Sequence, residues 1–247
     1  MGIATLYEQL GHWYESRAGQ ESLTLIHEHV MHLQENLSGQ HALYCGPDVL
    51  FNEVSAARGS FDHRFFMHPG TGQSQIRGRP DALPLAANCL DLLALAHPLE
   101  LSGQPHGVLR EADRVLVGNG HLLLVGFNPW SWYGLYRLLA VGRFPWDRHF
   151  YGFRRIRDWL SVLNFEIQDC RYAAFRPPVQ SRFLQQRTSG LELQARWRLD
   201  HLGGVYCVLA RKLRVPVTPA RERWYRSPVL ISERLAGVEP TSRGMNP

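Results

Sequence analysis

Four residues that could contact a small ligand stand directly behind segments with the composition of a β-strand. They are Gly46, His68, His97 and Asn128. Histidine and asparagine side chains donate and accept hydrogen bonds, and a glycine lets the backbone come close to a ligand. The carboxyl ends of parallel strands meet at one edge of a sheet, where α/β proteins bind their ligands. We therefore expect these residues to face one cleft. For His97, a capped, hydrogen-bonded histidine is an equally weighted alternative.

The residues after Asn128 could orient and enclose a substrate. The segment reads Asn128-Pro129-Trp130-Ser131-Trp132. The side-chain amide of Asn128 would hold an acceptor group, and Trp130 and Trp132 would form the wall around it. Asn-Pro is also a common turn pair, so the alternative is a plain connection between a strand and a helix. We favour a functional role, because a turn does not require two tryptophans.

The histidine-rich segment 27–32 (HEHVMH) is a candidate metal site. It does not match the zinc motif H-E-x-x-H, since Met31 occupies the position of the second histidine. His29 and His32 share a helix face, and a solvated helix surface is the favoured interpretation. The four cysteines form no C-x-x-C pair, so neither a structural zinc site nor a disulfide framework is expected. We predict no metal site.

Strand-like and helical segments alternate along the chain, which predicts an α/β fold with a mainly parallel sheet. Residues 90–96 and 121–127 are continuous apolar runs, as expected of strands buried on both faces. The N-terminal region is expected to consist of two helices that meet near Gly19. The predicted strands are 42–45, 61–67, 90–96, 121–127, 165–175 and 205–213. The other predicted helices are 48–58, 105–116 and 154–163, and residues 70–81 are expected to be a loop.

The composition divides the chain into three parts. Residues 1–38 are expected to form a helical N-terminal extension that packs on the core, and residues 39–215 to form the α/β domain. Residues 216–247 are rich in Arg, Pro, Ser and Glu and are expected to be a flexible tail.

The net charge of +5 raises the question of an anionic partner. Only one of the 27 basic residues is a lysine (Lys212), and such a skew towards arginine is also a feature of GC-rich codon usage. A nucleic-acid partner is therefore an alternative that we do not favour. The longest apolar stretch, 122–141, is interrupted by polar residues and predicts no transmembrane segment. The amino-terminal sequence lacks the pattern of a secretory signal, so a cytoplasmic location is expected.

Residues 130–157 combine nine aromatic residues with six arginines. We favour a lid over a substrate pocket. The alternatives are a binding surface for single-stranded nucleic acid or for a membrane, and plain core.

Three motifs resemble those of the type 11 group of S-adenosyl-L-methionine (SAM)-dependent methyltransferases. The first is Ala82-Leu83-Pro84 followed by Asp91 at the opening of a strand. The second is the segment 109–120, in which Leu109, Glu111, Arg114 and two glycines follow the group's helix-to-strand signature. The third is 126–131 (GFNPWS), which resembles a small bacterial branch of the group. Glu111 and Arg114, three residues apart on one helix, are interpreted as a structural pair.

The resemblance implies a Rossmann-like class I methyltransferase fold with a mainly parallel seven-stranded sheet and helices on both faces. It also implies that SAM binds in the cleft at the carboxyl ends of the strands and that Asn128 and Trp130 orient the acceptor. The residues expected to contact the cofactor are Tyr44, Gly46, His68, Asp81, Ala82, Leu83 and His97.

Three cofactor anchors of the group are replaced in this chain. Tyr44 stands at the acid of the glycine-rich motif, His68 at the acid that follows the second strand, and Arg79 at the aspartate that meets the adenine. His68 could instead bind the ribose, Asp81 could replace the lost aspartate, and backbone contacts would not depend on side chains. Two functions follow. The favoured one is a SAM-dependent methyltransferase that acts on a small or lipid-like acceptor. The other is a degenerate, non-catalytic member that binds or regulates a protein partner.

Overall fold

The computed structural model describes residues 2–51, 60–68, 75–140, 144–176 and 200–214. The strands are β1 (Ser38–Cys45), β2 (Ser60–His68), β3 (Ile76–Arg77), β4 (Leu90–Ala96), β5 (Leu116–Phe127), β6 (Phe165–Ala173) and β7 (Val205–Lys212). The α-helices are α1 (Ile3–Glu15), α2 (Arg17–Gln34), α3 (Asp48–Phe51), α4 (Pro98–Leu101), α5 (Pro105–Val115), α6 (Trp132–Leu139) and α7 (Phe153–Val162). A 3₁₀ turn, Asp200–Leu202, precedes β7.

The described strands form one seven-stranded sheet in the order β3-β2-β1-β4-β5-β7-β6. The strands β1 to β5 pair in parallel, and β7 runs antiparallel to both of its neighbours, β5 and β6. The expected mainly parallel, seven-stranded α/β sheet is confirmed. The carboxyl ends of β1, β2, β4 and β5 therefore lie at the same edge.

The sheet is covered on both faces, which explains the continuous apolar runs of its central strands. In β4, Leu92 and Ala94 pack with α1 and α2, whereas Leu93 and Leu95 pack with α5 and α7. Successive strand residues point to opposite faces, so a strand buried on both sides is apolar throughout. The expected helices on both faces are confirmed.

The sequence predicted that the two N-terminal helices meet near Gly19, and the structure places the junction at Ser16, three residues earlier. The hydroxyl of Ser16 accepts a hydrogen bond from Gly19 N and donates one to Trp13 O, so Ser16 is the N-cap of α2. A Cβ on Gly19 would overlap the carbonyl of Trp13. The glycine allows the tight passage from one helix to the next and lies in the first turn of α2.

Further predicted boundaries differ from the structure or fall partly outside the described residues. Residues 76–77, expected in a loop, form β3 because Ile76 and Arg77 pair with the last two residues of β2. The strand predicted at 121–127 begins five residues earlier, at Leu116. The helix that begins at Asp48 is described as far as Phe51. Residues 52–59, like the expected tail at 216–247, lie outside the described residues.

Candidate functional site

Helix α1 lies across the carboxyl ends of the central strands, where the sequence predicted a cleft. The ring of Tyr7 packs edge-on against His68 at the end of β2, with 6.0 Å between ring centres. A Cβ on Gly11, one turn further along, would lie 3.8 Å from the Cβ of Pro47. Tyr14, at the end of the helix, reaches His97 behind β4. One helix therefore covers the ends of three neighbouring strands.

His97 is part of the core at this edge. It is fully buried, and a hydrogen bond of 2.5 Å joins its Nε2 to the hydroxyl of Tyr14. Its backbone adopts a left-handed conformation (φ 52°) at the start of α4. Its ring lies 4.1 Å from that of Phe127. The structure places His97 as the hydrogen-bonded histidine that the sequence offered as the alternative.

Glu100, which the sequence analysis missed, is a buried carboxylate beside His97. Its Oε1 accepts a hydrogen bond of 2.6 Å from the backbone N–H of Phe127 and lies 3.7 Å from His97 Nδ1. Among the described residues, His97 Nδ1, Glu100 Oε2 and the hydroxyl of Tyr206 have no hydrogen-bond partner. Burial and, to a smaller extent, the charge of Glu100 raise the pKa of Tyr206 and of Tyr7. In the sequence, a glutamate within the otherwise apolar segment 98–101 could have marked Glu100 as a candidate site residue.

Gly46 and Tyr44, at the end of β1, contact other residues of the protein. A Cβ on Gly46 would lie 2.7 Å from the Cβ of Ala96 and 2.9 Å from a ring carbon of Phe51. A side chain at position 46 would therefore collide with Ala96 and Phe51. The hydroxyl of Tyr44 donates a hydrogen bond of 2.8 Å to Gln34. Burial raises the pKa of Tyr44 to about 12.

The backbone and side chains of the loop before β4 form hydrogen bonds within the loop and with α5. Arg79 donates two hydrogen bonds, of 2.9 and 2.7 Å, to the carboxylate of Asp81. The backbone N–H of Ala82 donates to Arg79 O at 3.0 Å, and that of Leu83 donates to Glu111 at 3.0 Å. The predicted contacts at Asp81, Ala82 and Leu83 therefore have partners within the chain.

Asn128 forms the corner at the end of β5. Its side-chain N–H groups donate to the carbonyls of His201 and Gly203, at 2.8 and 2.9 Å, and its Oδ1 accepts from Trp130 N at 3.0 Å. All three of these partners are backbone atoms, as in the alternative interpretation of a strand-to-helix connection. The side chain of Trp130 lies outside this corner, and the residue is 77% exposed.

The aromatic region 130–157 contributes mostly to the core. Trp146 and Tyr133 are buried, and each packs against Trp13 of α1, with ring centres 5.8 and 6.1 Å apart. The exception is the pair Trp130 and Trp132, which is exposed. The sequence-predicted residues thus form two groups. Gly46, His68 and His97 lie together beneath α1, whereas Trp130 is exposed and lies beside Gly152.

An open groove of about 660 Å³ lies at the opposite edge, at the amino ends of the strands. Lys212 lines it, and its ammonium group donates to the carbonyls of Asp113 and Leu116. The groove is therefore far from the predicted cleft.

The histidines of α2 make structural contacts. His27 bonds to the carbonyl of Leu50 at 2.8 Å and His29 to that of Tyr172 at 3.1 Å. Within the described ranges, no group of three or more His, Cys, Asp or Glu residues could hold a metal ion. None of the described helices is long and apolar enough to cross a membrane.

Comparisons with known proteins support the fold. No family model matches the sequence. The chain is 36% identical over 146 residues to the uncharacterised protein YafS of Escherichia coli (strain K12), and this match covers 58% of the chain and 57% of YafS. A chain of the complex between the Haloferax volcanii Trm112 methyltransferase activator and a methyltransferase superposes with a TM-score of 0.64 at 10% identity, covering 87% of this chain and 99% of that one. A SAM-dependent methyltransferase from Thermotoga maritima superposes with a TM-score of 0.55 at 14% identity, covering 85% and 98%. The class I methyltransferase fold is confirmed.

Helix α1 occupies the edge of the sheet at which the sequence predicted the cofactor site. Two of the predicted polar contacts are already engaged, since Asp81 is paired with Arg79 and Nε2 of His97 is bonded to Tyr14. At the same edge, His97 Nδ1 and Glu100 Oε2 are buried polar atoms without a hydrogen-bond partner among the described residues.

Proposed function

We propose that this methyltransferase-fold chain acts as a non-catalytic binding or regulatory partner. The observation that supports the proposal is the position of α1, which lies across the strand ends at which the sequence predicted the cofactor cleft. In this proposal, residues 1–38 are an extension that closes the cleft of the domain formed by residues 39–215.

Opening the cleft would expose a large apolar surface. Leu6, Tyr7, Leu10 and Tyr14 are at most 4% exposed on α1, and burial of each such side chain is worth about 1.5–3 kcal/mol. If a ligand binds only after α1 has moved away from the strand ends, its apparent affinity is its intrinsic affinity multiplied by the fraction of molecules in the open state. An opening cost of only about 4 kcal/mol would weaken its binding about a thousandfold.

The second candidate function is SAM-dependent methyl transfer to a small or lipid-like acceptor. It is favoured by the class I fold, which this chain shares with SAM-dependent methyltransferases. In that case α1 would be a movable cover, and Asn128 and Trp130 would remain the candidates for orienting the acceptor.

Calorimetric titration with SAM and S-adenosylhomocysteine separates the two functions. Three proteins are compared. Besides the wild type, the variant Tyr14→Ala removes the contact of α1 with His97. The control is Tyr136→Ala, which replaces a half-buried tyrosine of α6. Thermal melting establishes that each protein is folded.

We expect no binding to the wild type or to Tyr14→Ala at millimolar ligand. Micromolar binding to the wild type would overturn the non-catalytic proposal. Binding to Tyr14→Ala alone would also overturn it and would support the second candidate, with α1 as the cover.

A further inference from the structure

Helix α6 presents an apolar face that the described part of the protein leaves open. Trp132, Leu135 and Leu138 are spaced by three residues and are 48%, 48% and 69% exposed. Residues at this spacing lie on one side of a helix. Trp130, one residue before the N-cap of α6, is 77% exposed. These four residues are called the α6 face below.

The α6 face is held in a defined position. The opposite side of the helix packs through Tyr133, which is buried, and through Tyr136, whose ring lies 5.1 Å from that of Trp146. The hydroxyl of Ser131 accepts hydrogen bonds from the first turn of the helix. The indole of Trp130 lies over Gly152, since a Cβ there would be 3.4 Å from its Nε1. The exposed aromatic and leucine side chains therefore sit on a rigid support.

The sequence that contains the α6 face is rich in arginine. Residues 130–157 contain six arginines and one acidic residue, Asp147. Arg154 and Arg155 are exposed and follow Gly152, on which Trp130 lies. They occupy the first turn of α7, which has no acidic residue and no side-chain cap. A helix amino terminus favours negative charge, so an anionic partner would stabilise this end as well as the arginines.

We propose that the α6 face docks onto the surface of a membrane that contains anionic phospholipid. Tryptophan and leucine side chains enter the interfacial layer of a bilayer, and neighbouring arginines bind the phosphates. The aromatic rings with their polar N–H groups suit this layer, which is apolar on one side and hydrated on the other. The α6 face is about as long as one helix of eight residues, so the contact is peripheral. This inference goes beyond the proposed function and does not depend on SAM binding.

Vesicle co-sedimentation of the full chain tests the inference. The vesicles consist of phosphatidylcholine alone or of phosphatidylcholine mixed with phosphatidylglycerol. We expect binding to the anionic vesicles, weaker binding at high salt because the charges are screened, and a blue shift of tryptophan fluorescence that is smaller in Trp130→Phe.

Matched variants separate the apolar from the ionic contribution. Leu135→Ser combined with Leu138→Ser should weaken binding by about tenfold or more, because two exposed leucines no longer enter the bilayer. Arg154→Gln combined with Arg155→Gln should weaken it by about tenfold and reduce its dependence on salt. Val162→Ser is the control, since Val162 is 80% exposed at the other end of α7 and should bind as the wild type does.

Three results would overturn the proposal. The first is no binding to anionic vesicles, and the second is binding that the leucine variant leaves unchanged. The third is concentration-dependent self-association, seen by light scattering, that the leucine variant abolishes while no vesicle binding occurs. This last result would identify a second copy of the chain as the partner.

Discussion

Glu111 and Arg114 show how one pair of side chains fixes the loop before β4. The guanidinium of Arg114 donates to Glu111 at 2.9 and 2.7 Å and also to the carbonyls of Leu83 and Leu85. Glu111 in turn accepts the N–H of Leu83. The pair therefore connects α5 to a loop that has no regular secondary structure of its own. Its spacing on one helix face was visible in the sequence, but its loop partners were not.

Replacement of Glu111 by Gln should destabilise the fold in a pH-dependent manner. The hydrogen bond from Arg114 lowers the pKa of Glu111 from its usual value of 4.5. A carboxylate with a lowered pKa in the folded state stabilises that state above its unfolded pKa, and the stabilisation is lost as the pH falls through the folded pKa. We expect Glu111→Gln to lower the free energy of unfolding by about 1–2 kcal/mol at pH 7, and by progressively less below pH 4.5.

Urea denaturation at a series of pH values measures this difference. Glu166→Gln is the control, because Glu166 forms an exposed ion pair with Arg211 and exposed pairs contribute about 0–1 kcal/mol. A difference for Glu111→Gln that is independent of pH would contradict the prediction.

At the scale of elements, α1 is fastened to the strand ends by buried contacts between residues far apart in sequence. Tyr14 and His97 are 83 positions apart, and both are fully buried. The pKa of Tyr14 is raised, chiefly by burial, so its hydroxyl remains protonated. The bond contributes to holding the helix in place without any contribution from charge on Tyr14.

Replacement of Tyr14 by Phe should loosen α1 specifically. The change keeps the ring but removes the hydroxyl, and a buried polar atom left without a partner costs about 1–3 kcal/mol. We expect the backbone amides of α1 to exchange with solvent faster in Tyr14→Phe than in the wild type, while those of β4 and β5 exchange at a similar rate. Hydrogen exchange by mass spectrometry measures both, with Tyr136→Phe as the control. Unchanged protection of α1 would show that this bond does not hold the helix.

At the scale of the whole molecule, the sheet separates two apolar clusters. Cys207 belongs to the cluster beneath α1 and α2, and Cys45 belongs to the cluster beneath α5 and α7. Burial raises the pKa of Cys45 to about 12 and raises that of Cys207 as well. All four cysteines are free thiols. The chemical reactivity of Cys45 and Cys207 therefore measures how far each face of the sheet is exposed to solvent.

The two buried thiols should become reactive together. The reactive species is the thiolate, so at neutral pH we expect a maleimide to label the half-buried Cys89 first and to leave Cys45 and Cys207 unmodified. With increasing urea, both should become labelled at the same concentration if the domain unfolds as one unit. Peptide mass spectrometry locates the labels. Labelling of Cys45 at a lower urea concentration than Cys207 would show that the two faces open separately.

The central strands could be predicted from the sequence because burial on both faces requires a continuous apolar run, which is a local pattern. The strand β4 is predicted residue for residue as Leu90–Ala96. The strand β3 was missed because a pairing of two residues leaves no periodicity to detect. The junction between the first two helices was predicted near Gly19 and lies three residues earlier, at Ser16, because the hydroxyl of Ser16 caps α2. Gly19 serves the close approach to Trp13.

The sequence by itself determined the fold class, through strand composition, helical spacing and the motifs between Ala82 and Ser131. It also identified Gly46, His68 and His97 as neighbours, because the ends of parallel strands share one edge. Only the tertiary structure decided what fills that edge. The contacts of Tyr7 with His68 and of Tyr14 with His97 join residues too far apart for any local pattern to predict. Helical spacing predicts that α1 has an apolar face, but the surface that this face covers depends on how the whole chain packs.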